Sequence, residues 1–210
     1  MRLTSSDLKD QQPIPARFAF GKLADDAPMA LSANLSPHLA WSDAPAATRS
    51  FVLLCVDPDV PSVADDVNQE GRTLAADLPR VDFYHWVMIN IPADVTELAT
   101  GQCSDGVTIK GKKQPAGPVG SRQGLNDYTG FMAGNPDMAG QYFGYDGPCP
   151  PWNDERLHHY IFTVYALDVA NLDLPDEFTG QDVQAAIQGH IIGQASLTGS
   201  YTLNRSVANQ

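Results

Sequence analysis

The stretch FVLLCVDPDVPS, residues 51–62, decides the architecture. Its first six residues are all apolar. Phe51, Leu53 and Cys55 fall on one side of an extended chain, and Val52, Leu54 and Val56 on the other. A strand that is apolar on both faces is a central strand with a layer packed above it and another below. The pattern predicts this strand over residues 49–57. It then runs into Asp57, Pro58, Asp59 and Pro61. Two carboxylates are an odd way to close a buried strand, so they call for a task.

Working outward, FYHWVMINIP (83–92) reads as a second strand. Alternation places Phe83, His85, Val87, Ile89 and Ile91 on one face, and Tyr84, Trp86, Met88 and Asn90 on the other. Pro92 ends it, having no N–H to give a ladder. A third strand lies within NDERLHHYIFTVYALD (153–168), with His158, Tyr160, Phe162 and Val164 on one face and His159, Ile161, Thr163 and Tyr165 on the other. ASLTGSYTLN (195–204) is the last. The clearest helix is TGQDVQAAIQGHII (179–192), where Thr179 and Asp182 have capping-box spacing. The expected fold is mainly β with a few short peripheral helices.

Two long polar or glycine-rich segments remain, 62–82 and 111–146. The chain from Gly111 to Trp152 holds nine glycines and six prolines, too many for a long helix. Loops this long in a compact domain are commonly functional. Both are expected to flank a pocket and offer a partner surface.

The 210 residues suit one domain, 1–210. With 25 acidic against 13 basic side chains, the net charge is −12. Nucleic acid and anionic membrane surfaces repel such a chain, so no nucleic-acid partner is expected. Lys110, Lys112 and Lys113 read as a solvated loop. No run of apolar residues is long enough for a membrane span. The first eighteen residues lack the apolar segment of a signal peptide, and the odd set Cys55, Cys103 and Cys149 fits a reducing compartment, so a cytoplasmic location is expected. Cys55 reads as a small buried hydrophobe, Cys149 as loop filler, His159 and His190 as structural, and Trp41 and Trp86 as core or rim.

If the 49–57 strand pairs antiparallel with the other two, Asp57, His85, His158 and Tyr160 gather at one edge of one sheet. Asp57 and Asp59 point the same way only if the chain stays extended through Pro58. A carboxylate beside an imidazole favours the charged ring and fixes its orientation. Two imidazoles and a phenol then supply donors, and the stretch GYDGPCPP (144–151) adds a stiff rim with backbone N–H groups. The expected product is a rigid pocket for a phosphate or carboxylate. Asp59 is either part of it or a brace for the turn.

DPDVPS, FYHWVMINIP and GYDGPCPPWNDERLHHYIFTVYALD resemble, in order, the signature segments of the phosphatidylethanolamine-binding protein (PEBP) family, in its bacterial Raf-kinase-inhibitor-like branch. GHIIGQASLTGSY resembles that branch's C-terminal segment. The resemblance implies a large central β-sheet with a smaller second sheet and a few helices. It also implies an anion pocket that accepts phospholipid head groups, lined by Asp57, Asp59, His85, Gly147, Pro148, Pro150, Pro151, His158 and Tyr160. Relatives suggest a homodimer. The expected function is non-catalytic binding of a small anionic ligand, without cofactor or metal, either for its own sake or to restrain a protein kinase or a protease. The alternative is a metal-dependent or nucleophilic hydrolase built on Asp57, His85 and His158, although neither an HExxH nor a G-x-S-x-G motif supports it. Against the family pattern, the 62–82 segment is long, and Trp152 and the acids after it replace the more usual glycine or lysine.

Overall fold

A computed structural model describes residues 1–208. Its strands in chain order are β1 (Arg2–Thr4), β2 (Gln12–Pro13), β3 (Gly21–Lys22), β4 (Ala30–Leu31), β5 (Leu39–Ser42), β6 (Ser50–Pro61), β7 (Arg80–Pro92), β8 (Glu97–Leu98), β9 (Arg122–Gln123), β10 (His158–Leu167) and β11 (Ile191–Tyr201). The helices are α1 (Tyr128–Phe131), α2 (Gly180–Ala186) and α3 (Arg205–Ala208), with a short 3-10 helix at Ala16–Phe18. Strand makes up 34% of the chain and helix 9%, so the class is mainly β, as the patterning predicts.

The large sheet has the order β2-β11-β10-β6-β7-β9, and a three-stranded sheet, β1-β5-β8, packs against it. The doubly apolar β6 lies between β10 and β7, antiparallel to both. On one side of β6, Phe51, Leu53 and Cys55 meet Leu3, Leu39, Trp41 and Leu98 of the small sheet. On the other, Val52 and Leu54 meet Phe178, Val183 and Ile187, around and within α2. The two covers demanded by the sequence are therefore a sheet and a helix.

Three boundaries depart from expectation. First, β6 continues through both acids and prolines to Pro61, and β7 begins at Arg80 rather than 83. Pairing with β10 stops at Val56, so the missing N–H groups of Pro58 and Pro61 fall where β6 has only β7 beside it. Second, the faces of β7 do not alternate cleanly. Cys55 lies opposite Trp86 and Val56 opposite Tyr84, leaving His85 as an extra residue in a bulge. His85, Trp86 and Met88 thus share the small-sheet side, while Tyr84, Val87 and Ile89 face α2. The strict alternation, which grouped Val87 and Ile89 with His85, is corrected by that inserted residue. Third, α2 stops at Ala186. Gly189 turns the chain at φ +82°, and Ile191 already pairs with Leu167 in β11. The final strand accordingly starts at Ile191 and ends at Tyr201, not 195 and 204.

Candidate functional site

The antiparallel pairing brings the end of β6 beside the beginnings of β7 and β10, and a cavity of about 70 Å³ opens there. On this scale one water needs roughly 10–15 Å³, so the space suits a group of a few heavy atoms. Asp57, His85, Pro150, Pro151, His158 and Tyr160 line it together with Cys149. Three of the expected residues stand back. Asp59 turns away, Gly147 is packed behind, and Pro148 uses its carbonyl to accept the N–H groups of Phe20 and Gly21.

The two acids of DPDVPS part company because the register with β7 slips between Asp57 and Val60. Asp57 is buried. Its Oδ1 accepts the N–H of Asp59 at 2.8 Å, and its Oδ2 faces His158 Nδ1 at 2.7 Å. Asp59 reaches the opposite side of β10, where it accepts from Arg156 Nε at 2.5 Å and from the backbone N–H of His159 at 3.0 Å. Burial works against the Asp59 carboxylate, but bonds from His159 and Arg156 overrule it and lower its pKa. Asp59 is thus a brace between strands.

His158 has no free nitrogen. Its Nε2 lies 3.1 Å from Asp154 Oδ2, and Asp154 is gripped at both oxygens by Arg80, at 2.6 and 3.1 Å. Asp57, His158, Asp154 and Arg80 form a buried chain of alternating charge. Burial opposes the imidazolium, yet the bonds to Asp154 and Asp57 raise its pKa to about 9. His158 therefore carries a proton at neutral pH but cannot donate it to a ligand, contrary to the donor role expected for it.

His85 is the reverse case. Its Nδ1 donates to the backbone carbonyl of Asp146 at 2.8 Å, which leaves Nε2 uncommitted. Burial lowers its pKa, against the pull of Asp57, so the ring is neutral. The rings of Phe83, Tyr128 and Tyr160 stand 4.8, 5.5 and 5.0 Å from it and fix its plane. Asp146 is itself held by Asn34, Lys112 and Asn126 at 2.8, 2.7 and 2.9 Å. Lys112 is thus a partly buried staple rather than a freely solvated side chain, and the Lys113 ammonium bonds the carbonyls of Lys110 and Gln141.

The Tyr160 hydroxyl is fully buried next to the Asp57 carboxylate and makes no well-aligned hydrogen bond. Burial, then the charge of Asp57, pushes its pKa well up, so it remains a phenol with a proton to give. The 147–151 segment offers less than expected. Prolines 148, 150 and 151 have no N–H, and that of Gly147 is held by Asn34 Oδ1 at 2.8 Å. Cys149 N–H alone in this segment meets no acceptor among the described residues. Gly147 is required for another reason: a Cβ there would lie 2.0 Å from the Phe18 carbonyl oxygen.

Sequence reasoning missed Asp154, Arg80, Tyr128 and Phe131. The last two are aromatics inside a glycine-rich loop, a usable signal. Asp154 stands four residues before His158 in irregular chain, where spacing fixes no shared face. The hydrolase alternative finds little support. His158 cannot act as a base with both nitrogens held by carboxylates, and burial raises the Cys149 thiol to about 12. Among the described residues no cluster of three His, Cys, Asp or Glu side chains is arranged to hold a metal ion.

The pocket is lined largely by apolar side chains, and the fold and sequence around it place the chain in a family whose membership supports a binding-protein kind. The chain belongs to the phosphatidylethanolamine-binding protein family, whose sequence model matches residues 4–202. It is 33% identical to the UPF0098 protein YbhB of Escherichia coli K12 over 202 residues, covering 96% of this chain and 100% of YbhB. A UPF0098 protein of Methanothermobacter thermautotrophicus is 33% identical over 201 residues, 96% of this chain and 98% of that protein. Among solved structures, YbcL of E. coli superposes with a TM-score of 0.69 at 27% identity, covering 96% of this chain and 97% of YbcL. The PEBP homologue CT736 of Chlamydia trachomatis gives 0.64 at 29% identity, with 95% of each chain covered. No helix among the described residues is long and apolar enough to cross a membrane.

Proposed function

We propose that the protein reversibly binds a small phosphate- or carboxylate-bearing group in the pocket between His85 and Tyr160, without turning it over. The observation that carries this reading is the Tyr160 hydroxyl, a buried donor beside a cavity that makes no well-aligned hydrogen bond even to the adjacent Asp57 carboxylate. An orphaned buried polar group costs roughly 1–3 kcal/mol, which a ligand acceptor would recover. His158 does not compete for the anion, because its charge already balances Asp57 and Asp154. Its part is to hold Asp57 in place. The positive charge that meets the ligand comes from His85 when Nε2 takes up a proton, or is replaced by a proton carried on the anion itself. Either route couples binding to proton uptake.

Calorimetric titration with inorganic phosphate and with sulfate tests the reading. The wild type is expected to bind both, and Tyr160→Phe to bind them about tenfold more weakly, the usual loss for a hydrogen bond to a charged group. Equal affinity in the two proteins, or no binding by the wild type at millimolar anion, would overturn the proposal.

A further inference from the structure

We infer that residues 62–79 are the selectivity wall of this pocket, latched by Asn153, and that they favour an anion bearing a short apolar substituent over the bare anion. The inference rests on the anion-binding reading above and deepens it. The 62–79 segment joins β6 to β7 and contributes Ala64 and Val67 to the lining of the cavity. They line it together with Val60 and Pro61 at the end of β6 and with Phe83 and Phe131. The uncommitted polar atoms, the Tyr160 hydroxyl and His85 Nε2, belong to β10 and β7 of the sheet, not to this segment. Whatever is attached to a bound anion and leads outward meets hydrocarbon. A sugar or charged substituent would shed water there and find few partners. An alkyl group would gain contact.

The wall is held by hydrogen bonds rather than by a core of its own. The buried Asn153 amide donates to the carbonyls of Asp66 and Arg72 at 2.8 and 3.1 Å, and its Oδ1 accepts the Asn68 N–H at 3.0 Å. Asn68 returns the contact, its Oδ1 accepting the Trp152 N–H at 3.0 Å. Asn68 has φ +56°, a conformation asparagine tolerates better than most residues. Below this pair, Leu74 bonds Asn153 and Glu155 through the backbone, and Arg80 ties the Ala75 carbonyl to the buried Asp154. One side chain, Asn153, therefore fixes three points of a polar loop whose only contribution to the cavity is two small apolar groups, Ala64 and Val67. Asn153 itself does not line the cavity; it is a positioning residue.

Calorimetry with two probes, inorganic phosphate and butylphosphonate, separates the wall from the anion site. Wild-type protein should bind butylphosphonate about tenfold more tightly than phosphate, the gain from burying one or two methylene groups. In Val67→Asp and in Asn153→Ala that ratio should fall to about twofold or less. Asn153→Ala should also exchange the Asn68 amide proton faster. Should Asn153→Ala fail to fold, the ratio in Val67→Asp still carries the test. A wild-type ratio near one, or the same ratio in wild type and both variants, would overturn the inference while leaving the anion site intact. Binding of neither probe by wild type would overturn the anion site and the wall together.

Discussion

His85 and His158 are both buried imidazoles, yet their neighbours drive them in opposite directions. His158 has a carboxylate at each nitrogen and is held charged, whereas His85 has a backbone carbonyl at one nitrogen, an open cavity at the other, and is held neutral. The expected antiparallel pairing of the strand ends was enough to bring both rings to the same hollow. It could not say how many ring atoms neighbours already hold, because that depends on Asp154 and Asp146, from loops no periodicity governs. The difference has a measurable consequence. The pKa of His85 in the empty pocket lies below the usual 6.5, and a bound anion favours the protonated ring. Affinity for sulfate, whose charge is constant over the range, should therefore strengthen as pH falls from 8 to 5. The gain approaches tenfold per pH unit where the empty ring is neutral and the occupied one charged. His85→Gln should bind more weakly and with a flat profile; a flat profile in the wild type would contradict the coupling.

At the scale of elements, β6 and its partners were legible because hydrophobic patterning reports burial on both faces directly. The limits of that signal are equally specific. A bulge adds one residue and reverses the phase downstream, which is why His85 and Trp86 end on one side of β7. The run of apolar residues after Ala186 satisfied helical spacing as well as strand spacing, and only Gly189 marks the change from α2 to β11. The capping box, in contrast, was readable and is formed. Asp182 N–H donates to Thr179 Oγ1 at 3.3 Å, and Thr179 N–H donates to Asp182 Oδ2 at 2.8 Å. Thr179→Ala should lower unfolding free energy by about 1 kcal/mol without changing anion affinity, since α2 covers the sheet face away from the pocket. Chemical denaturation and calorimetry of the same variant check both halves.

For the molecule as a whole, the two histidines set how stability follows pH. His158 has a raised folded pKa of about 9 against about 6.5 unfolded, so its contribution is complete below pH 6.5 and is lost as pH rises through 9. His85 has a lowered folded pKa, so its contribution is complete above pH 6.5 and is lost as pH falls below it. The sum is a maximum near pH 6.5, with Tm falling by on the order of several degrees towards pH 9. Thermal melts should show that decline in the wild type and lose it in His158→Gln; a Tm that is constant between pH 6.5 and 9 would refute the assignment. The order of strands in the large sheet bears, finally, on how the protein is made. β6 and β7 leave the ribosome as neighbours, but β10, which covers the other edge of β6, follows only after the long glycine-rich stretch. Until then a nascent chain presents the unpaired edge of its most apolar strand, a surface prone to mispairing during synthesis. The same delay means that the hollow between His85 and Tyr160 does not exist until Tyr160 has emerged, so its closure is a late certificate of correct folding.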